Sequence, residues 1–317
     1  IGTGIISIDG TRNRFAERSD SAAATILTAF RGSYALALTV NSATPADPAV
    51  DATPEGAGYL SVTIGTRGSA KIAGILADGT KVSRSSRLIL YENCSDASAV
   101  PLFAPLYAKR GLLSGLAWFY PQRAAVTDID NDGSIRWEKP GRGADGFSAI
   151  LDLHGGFHNS TTILNHTAGY LLSAETSAAL FYHAEGVALP QTALADLLVT
   201  ANGSRLTVPR GKKPLRIKDA DTITYQFDPD NETMAKLSFT TRSGIFRGNF
   251  TLYYTYEQRG KNTLKSLKTS YAGIVVPDYL TTDGTPYGLG HALTSESNPD
   301  LRQFRLKRSW LVTLDPQ

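Results

Sequence analysis

Short runs in which apolar and polar residues alternate recur along this chain, and many of them contain a glycine. The two clearest are FRGSYALALT at 30–39 and FRGNFTLYYT at 246–255. A period of two predicts a half-buried β-strand, because successive side chains of a strand point to opposite faces. Glycine inside a strand usually indicates a bulge or a close approach of another backbone. The pattern therefore predicts strands that are punctuated by glycine.

Five segments share the order apolar-x-Gly within such a run. Their glycines are Gly32, Gly74, Gly115, Gly248 and Gly273. Recurrence beside apolar neighbours predicts adjacent sheet segments that bend at a common level. Finding these glycines in helices or loops would contradict the prediction.

Turn sequences separate the predicted strands. They are ADGT at 77–80, DNDGS at 130–134, ANGS at 201–204 and TDGT at 282–285. Asp-Gly and Asn-Gly pairs favour the left-handed backbone of tight hairpins, so neighbouring strands are expected to run antiparallel. Only 21–29 and 189–199 have helix-like patterns, which are too few for a fold of alternating strands and helices.

The predicted fold class is therefore all-β and antiparallel, with glycine-punctuated strands and little helix. Either one large barrel or two packed sheets would satisfy the pattern. We divide the chain into an N-terminal half, 1–190, and a C-terminal half, 191–317, although one continuous domain is equally compatible with a length of 317 residues. The segments that follow the two FRG phrases match in exchanged order, so any internal repeat is not a clean tandem duplication.

Longer segments extend the pattern of glycines and aromatic residues at strand spacing. They are GAGYLSVTIGTRGSAKIAGILADGTKVSRSS, PLYAKRGLLSGLAWF, GSIRWEKP, LSFTTRSGIFRGNFTL, KTSYAGIVV and GLGHAL. From about residue 28 to residue 297 the chain resembles a glycine-rich β module of long secreted proteins from environmental bacteria of the planctomycete and verrucomicrobial kind. The resemblance implies an exported β module and carries over no activity and no catalytic residue.

Charge excludes one class of partner. The net charge is only +3, and lysines and arginines are scattered, which does not give the basic footprint that nucleic-acid binding needs. One dense group, in PRGKKPLRIKD at 209–219, is interpreted as a basic surface loop. No run approaches the roughly 18 apolar residues of a transmembrane helix.

Several features indicate an exported, extracellular or cell-surface protein. The chain begins at Ile1, as expected of the mature or excised part of a longer precursor. Cys94 is the only cysteine, so no internal disulfide forms, which does not exclude export because a chain of this length can bury enough core without one. Six of the eleven asparagines begin an N-x-S/T sequence, which suggests a glycoprotein. They are Asn93, Asn159, Asn165, Asn202, Asn231 and Asn249.

The run DIDNDGSIRWE at 128–138 suggests a calcium site, the one cofactor that we predict. Its candidate ligands are Asp128, Asp130, Asp132, Ser134 and Glu138. Alternate carboxylates around a sharp glycine turn converge on a hard cation in calcium loops. The closing glutamate of such a loop would stand at Lys139, so Glu138 comes one position early. An acidic, solvated turn is the alternative interpretation.

Aromatic side chains suggest a ligand surface. The candidates are Trp118, Tyr120, Trp137, Tyr253 and Tyr254. On a strand, Tyr253 faces the opposite side from Leu252 and Tyr254, so some rings are expected to face away from the core. Outward rings could stack on sugars or on a neighbouring subunit, while cross-strand packing is the structural alternative.

Catalytic chemistry has no comparable signature. His154, His158 and His166 are close in sequence, but the two glycines after His154 interrupt a common register, and we interpret all three as surface or hairpin residues. No GxSxG elbow and no phosphate-binding glycine loop occurs.

The predicted function is therefore a non-enzymatic extracellular or cell-surface module for structure, adhesion or assembly, with partners that are other subunits of such an assembly or glycans. A carbohydrate-binding protein that uses exposed aromatics, with calcium, and a polysaccharide-active enzyme remain the alternatives.

Overall fold

A computed structural model of the chain describes most of the predicted strands. The described residues are 21–46, 52–90, 97–120, 129–130, 135–141, 145–158, 169–174, 182–183, 186–187, 194–202, 205–219, 223–258, 261–276, 287–297 and 305–317. They form antiparallel sheets that curl into nearly closed, barrel-like shapes, with one short α-helix and one turn of 3-10 helix at Tyr107–Lys109. The prediction of an antiparallel all-β fold is confirmed.

The first sheet follows the helix α1 (Ser21–Phe30) in the chain. Its strands are β1 (Gly32–Pro45), β2 (Gly58–Ile64), β3 (Ser69–Ile75), β4 (Lys81–Arg87), β5 (Ile89–Leu90), β6 (Ser98–Leu106), β7 (Gly111–Phe119), β8 (Ile129–Asp130), β9 (Arg136–Lys139) and β10 (Phe147–Phe157). Their order within the described residues is β4-β3-β2-β1-β10-β9-β7-β6-β5, with β8 beside β7.

The second sheet contains the later strands. They are β11 (Tyr170–Ala174), β14 (Leu197–Asn202), β15 (Arg205–Thr207), β18 (Lys236–Thr240), β19 (Ile245–Gln258), β20 (Lys261–Val276), β21 (Tyr287–Ser297) and β22 (Arg305–Pro316). Their order in the described part is β15-β14-β11-β22-β21-β20-β19-β18. Two small hairpins form no hydrogen-bonded ladder with either sheet. They are β12 (Tyr182–His183) with β13 (Gly186–Val187), and β16 (Leu215–Lys218) with β17 (Ile223–Gln226).

The first sheet curls until β4 lies beside β6. Pro101 and Pro105 of β6 lack the N–H group that a regular strand ladder requires. Side chains of β4 join the two strands instead: Ser86 Oγ donates to the Pro101 carbonyl at 2.7 Å, and the Arg84 guanidinium donates to the Pro105 carbonyl at 3.1 Å. The second sheet curls in the same way and brings β15 close to β18.

Each barrel has its own apolar core. Tyr34, Phe119 and Trp137 are among the largest buried side chains of the first core, and α1 adds Ala23, Leu27 and Phe30 to it. The second core includes Tyr170, Phe246, Phe250, Tyr271 and Trp310. Both barrels are therefore filled by side chains.

A third apolar layer joins the barrels. It consists of Ala35, Ala37, Tyr59, Ile274 and Val276, which lie on the outer faces of β1, β2 and β20. Backbone bonds reinforce the contact, since Glu55 N–H donates to the Ser309 carbonyl and Ala57 N–H to the Gly290 carbonyl. The run YALAL in β1 is buried on both faces because one face lines the first barrel and the other meets the second.

The five glycines of the repeated pattern all lie in strands, as predicted. Gly32 begins β1 with φ of +142°, a conformation that favours glycine, and the Phe157 ring covers it. Gly248, at the same place in the second FRG phrase, pairs with Tyr271 and leaves room for that ring.

Two sequence-based expectations concern the region around 190. The helix predicted over 189–199 is wrong where the structure describes it, since β14 begins at Leu197 and pairs with β11. Tertiary pairing outweighs the helical propensity of this short leucine and alanine run. The first sheet ends at Phe157 and the second begins at Tyr170, whereas the sequence analysis divided the chain after residue 190. The helix expected at 21–29 is confirmed.

Candidate interaction surface

Most of the predicted calcium loop lies outside the described residues. Asp128, Asp132 and Ser134 are outside them, and only the backbone of Asp130 is described, in β8. Glu138 lies on β9, where one of its carboxylate oxygens accepts a 2.7 Å bond from Ser148 Oγ. Within the described ranges, no three histidine, cysteine or acidic side chains cluster in a way that could hold a metal ion. The calcium site stays a prediction.

Trp137 does not face solvent. It is 1% exposed inside the first barrel, its ring makes an edge contact with Phe147, and its indole N–H donates to Tyr107 Oη at 3.0 Å. Tyr107 Oη in turn donates to Asp78 at 2.7 Å. Burial, followed by the charge of Asp78, raises the pKa of Tyr107. This buried network holds the β3–β4 turn against the first core.

Tyr253 faces outward from β19, as the alternation predicts, but it is covered. Its ring lies 5.4 Å from that of Phe227, and its hydroxyl donates to the Met234 sulfur at 3.2 Å. Tyr254 lies on the opposite face and is half-buried. The segment between β17 and β18 therefore occupies the outer side of this aromatic strand.

Trp118 and Tyr120 are the two candidates that share an outer face. The residue between them, Phe119, is fully buried in the first core, so its neighbours on either side point outward. Trp118 is half-buried, and Tyr120 is exposed. Trp118 also pairs with Asp130, which places this aromatic pair beside the predicted calcium loop.

The two described histidines of this group, His154 and His158, do not come together as a metal site. His154 lies on β10 and bonds Thr39 Oγ1 at 2.9 Å, whereas His158 is buried and its Nε2 donates to the Thr241 carbonyl at 2.7 Å. His166 is outside the described residues. The interpretation of His158 as a surface residue is wrong, because β10 carries it into contact with the second barrel. Burial lowers the pKa of His158.

Hairpin β16–β17 is the most exposed element with apolar side chains. Six large apolar side chains are exposed in the described part of the chain, and three of them lie here: Leu215 at 62%, Ile217 at 42% and Ile223 at 40%. Leu215 and Ile217 share one face, because residues two apart on a strand point the same way. Solvent-exposed aliphatic residues concentrated on one small element are typical of a binding surface.

β16 and the segment that leads into it are strongly basic. Five cations lie in nine residues: Arg210, Lys212, Lys213, Arg216 and Lys218. The chain as a whole carries +3 and this stretch carries +5, which leaves −2 for all other residues. This stretch is therefore one of the dense runs of positive charge in the chain; another is 302–308, with four cations in seven residues.

Asn231 anchors the base of the hairpin. Its side-chain nitrogen donates to the carbonyls of Pro209 and Ala235 at 2.7 and 3.0 Å, and its oxygen accepts from Ala235 N–H at 2.8 Å. Lys212 N–H donates to Asp228 at 3.1 Å across the two arms. These bonds fix where the hairpin leaves the second barrel, between β15 and β18.

A cleft of about 410 Å³ lies beside this base. It is lined by 194–198, Pro209 and 229–233, and Asp196, Asp230 and Glu232 are among its residues. Asp196 accepts a 2.6 Å bond from Ser173 Oγ. An acidic cleft therefore lies beside the base of the exposed apolar hairpin and the basic segment that leads into it.

Sequence reasoning identified the basic residues but not the strand that carries them. The signal was present as LRIK followed by ITYQ, two short alternating runs separated by Asp and Thr residues. The density of lysine and arginine around them favoured a loop.

Among the residues that the structure describes, no helix is long and apolar enough to cross a membrane. Comparison of the chain with models of known protein families, with curated proteins and with solved structures finds no match in any of the three.

Proposed function

We propose that this protein is a non-enzymatic extracellular or cell-surface module that serves structure, adhesion or assembly, and that hairpin β16–β17 is its contact element. The observation that carries the proposal is the exposure of Leu215, Ile217 and Ile223 on an element that belongs to neither core. Aliphatic side chains that stay this exposed contribute little apolar burial to folding, so their placement favours a role in binding.

The rest of the molecule supports a scaffold role. Both barrels are filled with side chains, and a continuous apolar layer with backbone bonds holds them together. Such packing resists deformation, because protein cores are close-packed. Two packed barrels that carry an exposed hairpin suit a module whose task is to hold a partner in place.

The native size of the protein tests the proposal. We would extract the protein under non-denaturing conditions from the cells that produce it and compare its size with that of purified monomer by size-exclusion chromatography with light scattering. We expect a complex larger than the monomer. The variant Leu215→Ser/Ile217→Ser/Ile223→Ser is expected to shift the protein to monomer size without lowering its melting temperature.

Phe103→Ser provides the matched control. Phe103 is also exposed, on β6 of the first barrel, so it tests whether any exposed apolar residue supports the complex. We expect Phe103→Ser to leave the complex intact. A native protein that is monomeric throughout, or a hairpin variant that stays in the complex, would refute the assignment of the hairpin as contact element.

Carbohydrate binding at Trp118 and Tyr120 is a second candidate function. The shared outer face of these two residues supports it, since exposed aromatic rings can stack on sugars. We expect Trp118→Ala to abolish binding on a glycan array, while Trp137→Phe, a buried change, leaves it intact. Repeating the array with a calcium chelator tests the predicted contribution of the loop around Asp130. Equal glycan binding by Trp118→Ala and the unaltered protein would exclude this surface.

A further inference from the structure

We infer that hairpin β16–β17 binds an extended segment of another protein, with alternating apolar and acidic residues, as a third strand on its free edge. This inference rests on the proposed role of the hairpin as contact element. It adds the chemistry of the partner and the geometry of binding.

Unpaired backbone at the strand edges is the first argument. In the described part of the chain, β16 and β17 pair only with each other, through Leu215 with Gln226 to Lys218 with Ile223. In a two-stranded antiparallel sheet, about half of the backbone N–H and C=O groups of each strand point away from the partner strand. An exposed edge of this kind is a template for another extended chain.

The side chains specify what the added strand would carry. Leu215 and Ile217 point to one face of β16, and Arg216 and Lys218 point to the other. A strand added beside β16 places its own side chains next to these, with the same alternation. Apolar residues would cover the aliphatic face, and Asp or Glu residues would pair with the cations on the opposite face.

Charge decides between a different partner and a second copy. Two copies paired through the edges of β16 would bring Arg216 and Lys218 of each copy close together, and like charges opposite each other in a sheet are destabilising. An acidic partner instead gains from steering towards the cations on β16 and in the segment before it. The occupant is therefore an acidic segment of another protein.

Other anionic ligands fit fewer of the observations. A soluble polyanion would neutralise Arg216 and Lys218 but leave Leu215, Ile217 and the strand edge in water. An anionic lipid surface would cover the aliphatic face but would supply no partner for the backbone edge. Only an extended peptide engages the edge and both faces.

Peptide binding to the full chain tests the inference. The probe is a short fluorescent peptide of alternating valine and glutamate, measured by fluorescence anisotropy. Two control peptides isolate the two requirements: one is N-methylated on alternate backbone nitrogens, and one has the same composition with valines and glutamates in separate blocks. We expect both controls to bind about tenfold more weakly or worse, because strand addition requires backbone donors and alternation.

Charge reversal supplies a positive test of register. The variant Arg216→Glu/Lys218→Glu is expected to bind the valine-glutamate peptide about tenfold more weakly or worse. It is expected to bind a matching valine-lysine peptide more tightly than the unaltered protein does. Lys71→Glu/Arg87→Glu is the matched control, since both residues are exposed on β3 and β4 of the first barrel. We expect this control to bind both peptides like the unaltered protein.

Each contrary result has a distinct meaning. Equal binding of the N-methylated peptide with full competition by dextran sulfate would overturn strand addition in favour of a polyanion site. Hairpin-dependent binding to phosphatidylglycerol vesicles without peptide binding would assign a lipid surface, and hairpin-dependent dimers in sedimentation would assign a second copy. Any of these would overturn the inference while the hairpin-dependent native complex, and hence the proposed function, still stood. An unaltered native protein that is monomeric throughout, or a hairpin variant that stays in the complex, would instead refute the proposed function itself.

Discussion

Tyr271 of β20 lies across Gly248 of β19, and its hydroxyl donates a 2.9 Å hydrogen bond to the Lys236 carbonyl on β18. One side chain thus spans three strands of the second barrel. The glycine makes this possible, because a Cβ at position 248 would overlap both the Tyr271 ring and the Lys236 carbonyl oxygen. The repeated FRG phrase therefore places glycine where an aromatic ring needs the space.

Gly248→Ala is expected to destabilise the protein through this overlap. Forcing the ring or the backbone of β18 aside should lower the free energy of unfolding by about 2 kcal/mol, the usual range for overpacking. Chemical denaturation measures the change. Ser270→Ala, an exposed change next to Tyr271, serves as control and should stay within about 0.5 kcal/mol. Equal stability of Gly248→Ala and the unaltered protein would show that the ring does not depend on the glycine.

The apolar layer between the barrels is expected to make them unfold together. Ile274 is fully buried in that layer, so Ile274→Asp would place a charge between the barrels and should split a single calorimetric transition into two. Ile274→Val removes only one methyl group and should cost about 1 kcal/mol with one transition retained. Two separate transitions in the unaltered protein would contradict the coupling.

The sequence predicted the strands better than it predicted their surroundings. Alternation around Gly32 and Gly248 was enough to place both in strands, because the period of two is a local property. Nothing local indicated that Phe227 would cover Tyr253, or that β10 would bring His158 against the second barrel. The same limit applies to Leu197, which lies in a helical sequence pattern but forms a strand because it pairs with β11. Contacts between segments distant in the chain decided each of these cases.

The candidate surface shows the same division. The cations around Arg216 could be read from composition, but their placement on a paired strand could not, since four residues are too few for a reliable alternation. Their prominence also depends on Asn231, whose hydrogen bonds to Pro209 and Ala235 hold the base of the hairpin. In the sequence this asparagine looked like a glycosylation site.

Acid is expected to weaken the contact between the barrels through its buried histidines. Burial lowers the pKa of both His158 and His291, so the unfolded chain binds protons more readily than the folded protein does. The contribution of these two histidines to stability is therefore complete above the ordinary histidine pKa of about 6.5. It is lost as the pH falls below that value towards their pKa values in the folded protein. The charge of Asp78 partly opposes the lowering of the His291 pKa. Within the described residues, Nδ1 of His158 has no hydrogen-bond partner.

His158→Gln isolates this contribution, because the Gln amide nitrogen can still donate to the Thr241 carbonyl. We expect the loss of unfolding free energy between pH of about 7.5 and about 5.5 to be smaller in the variant than in the unaltered protein, as measured by urea denaturation. Carboxylates titrate in both proteins and cancel in the comparison. Parallel pH profiles would show that His158 is not the origin of the acid sensitivity.

The amide group of Asn231 is expected to be necessary for the fold of the hairpin base. The residue is 2% exposed, and its side-chain nitrogen already donates two bonds, so neither a glycan nor a carboxylate can replace it without loss. Asn231→Asp keeps the shape but turns both donors into a carboxylate oxygen that faces two carbonyls. We expect a loss of about 3 kcal/mol in the free energy of unfolding, the cost of an uncompensated buried charge. Asn202→Asp, an exposed sequon asparagine on β14, is the matched control and should change stability by no more than about 0.5 kcal/mol. Similar stability of the two variants would mean that Asn231 does not anchor the hairpin, and the peptide-binding surface would then need another explanation for its position.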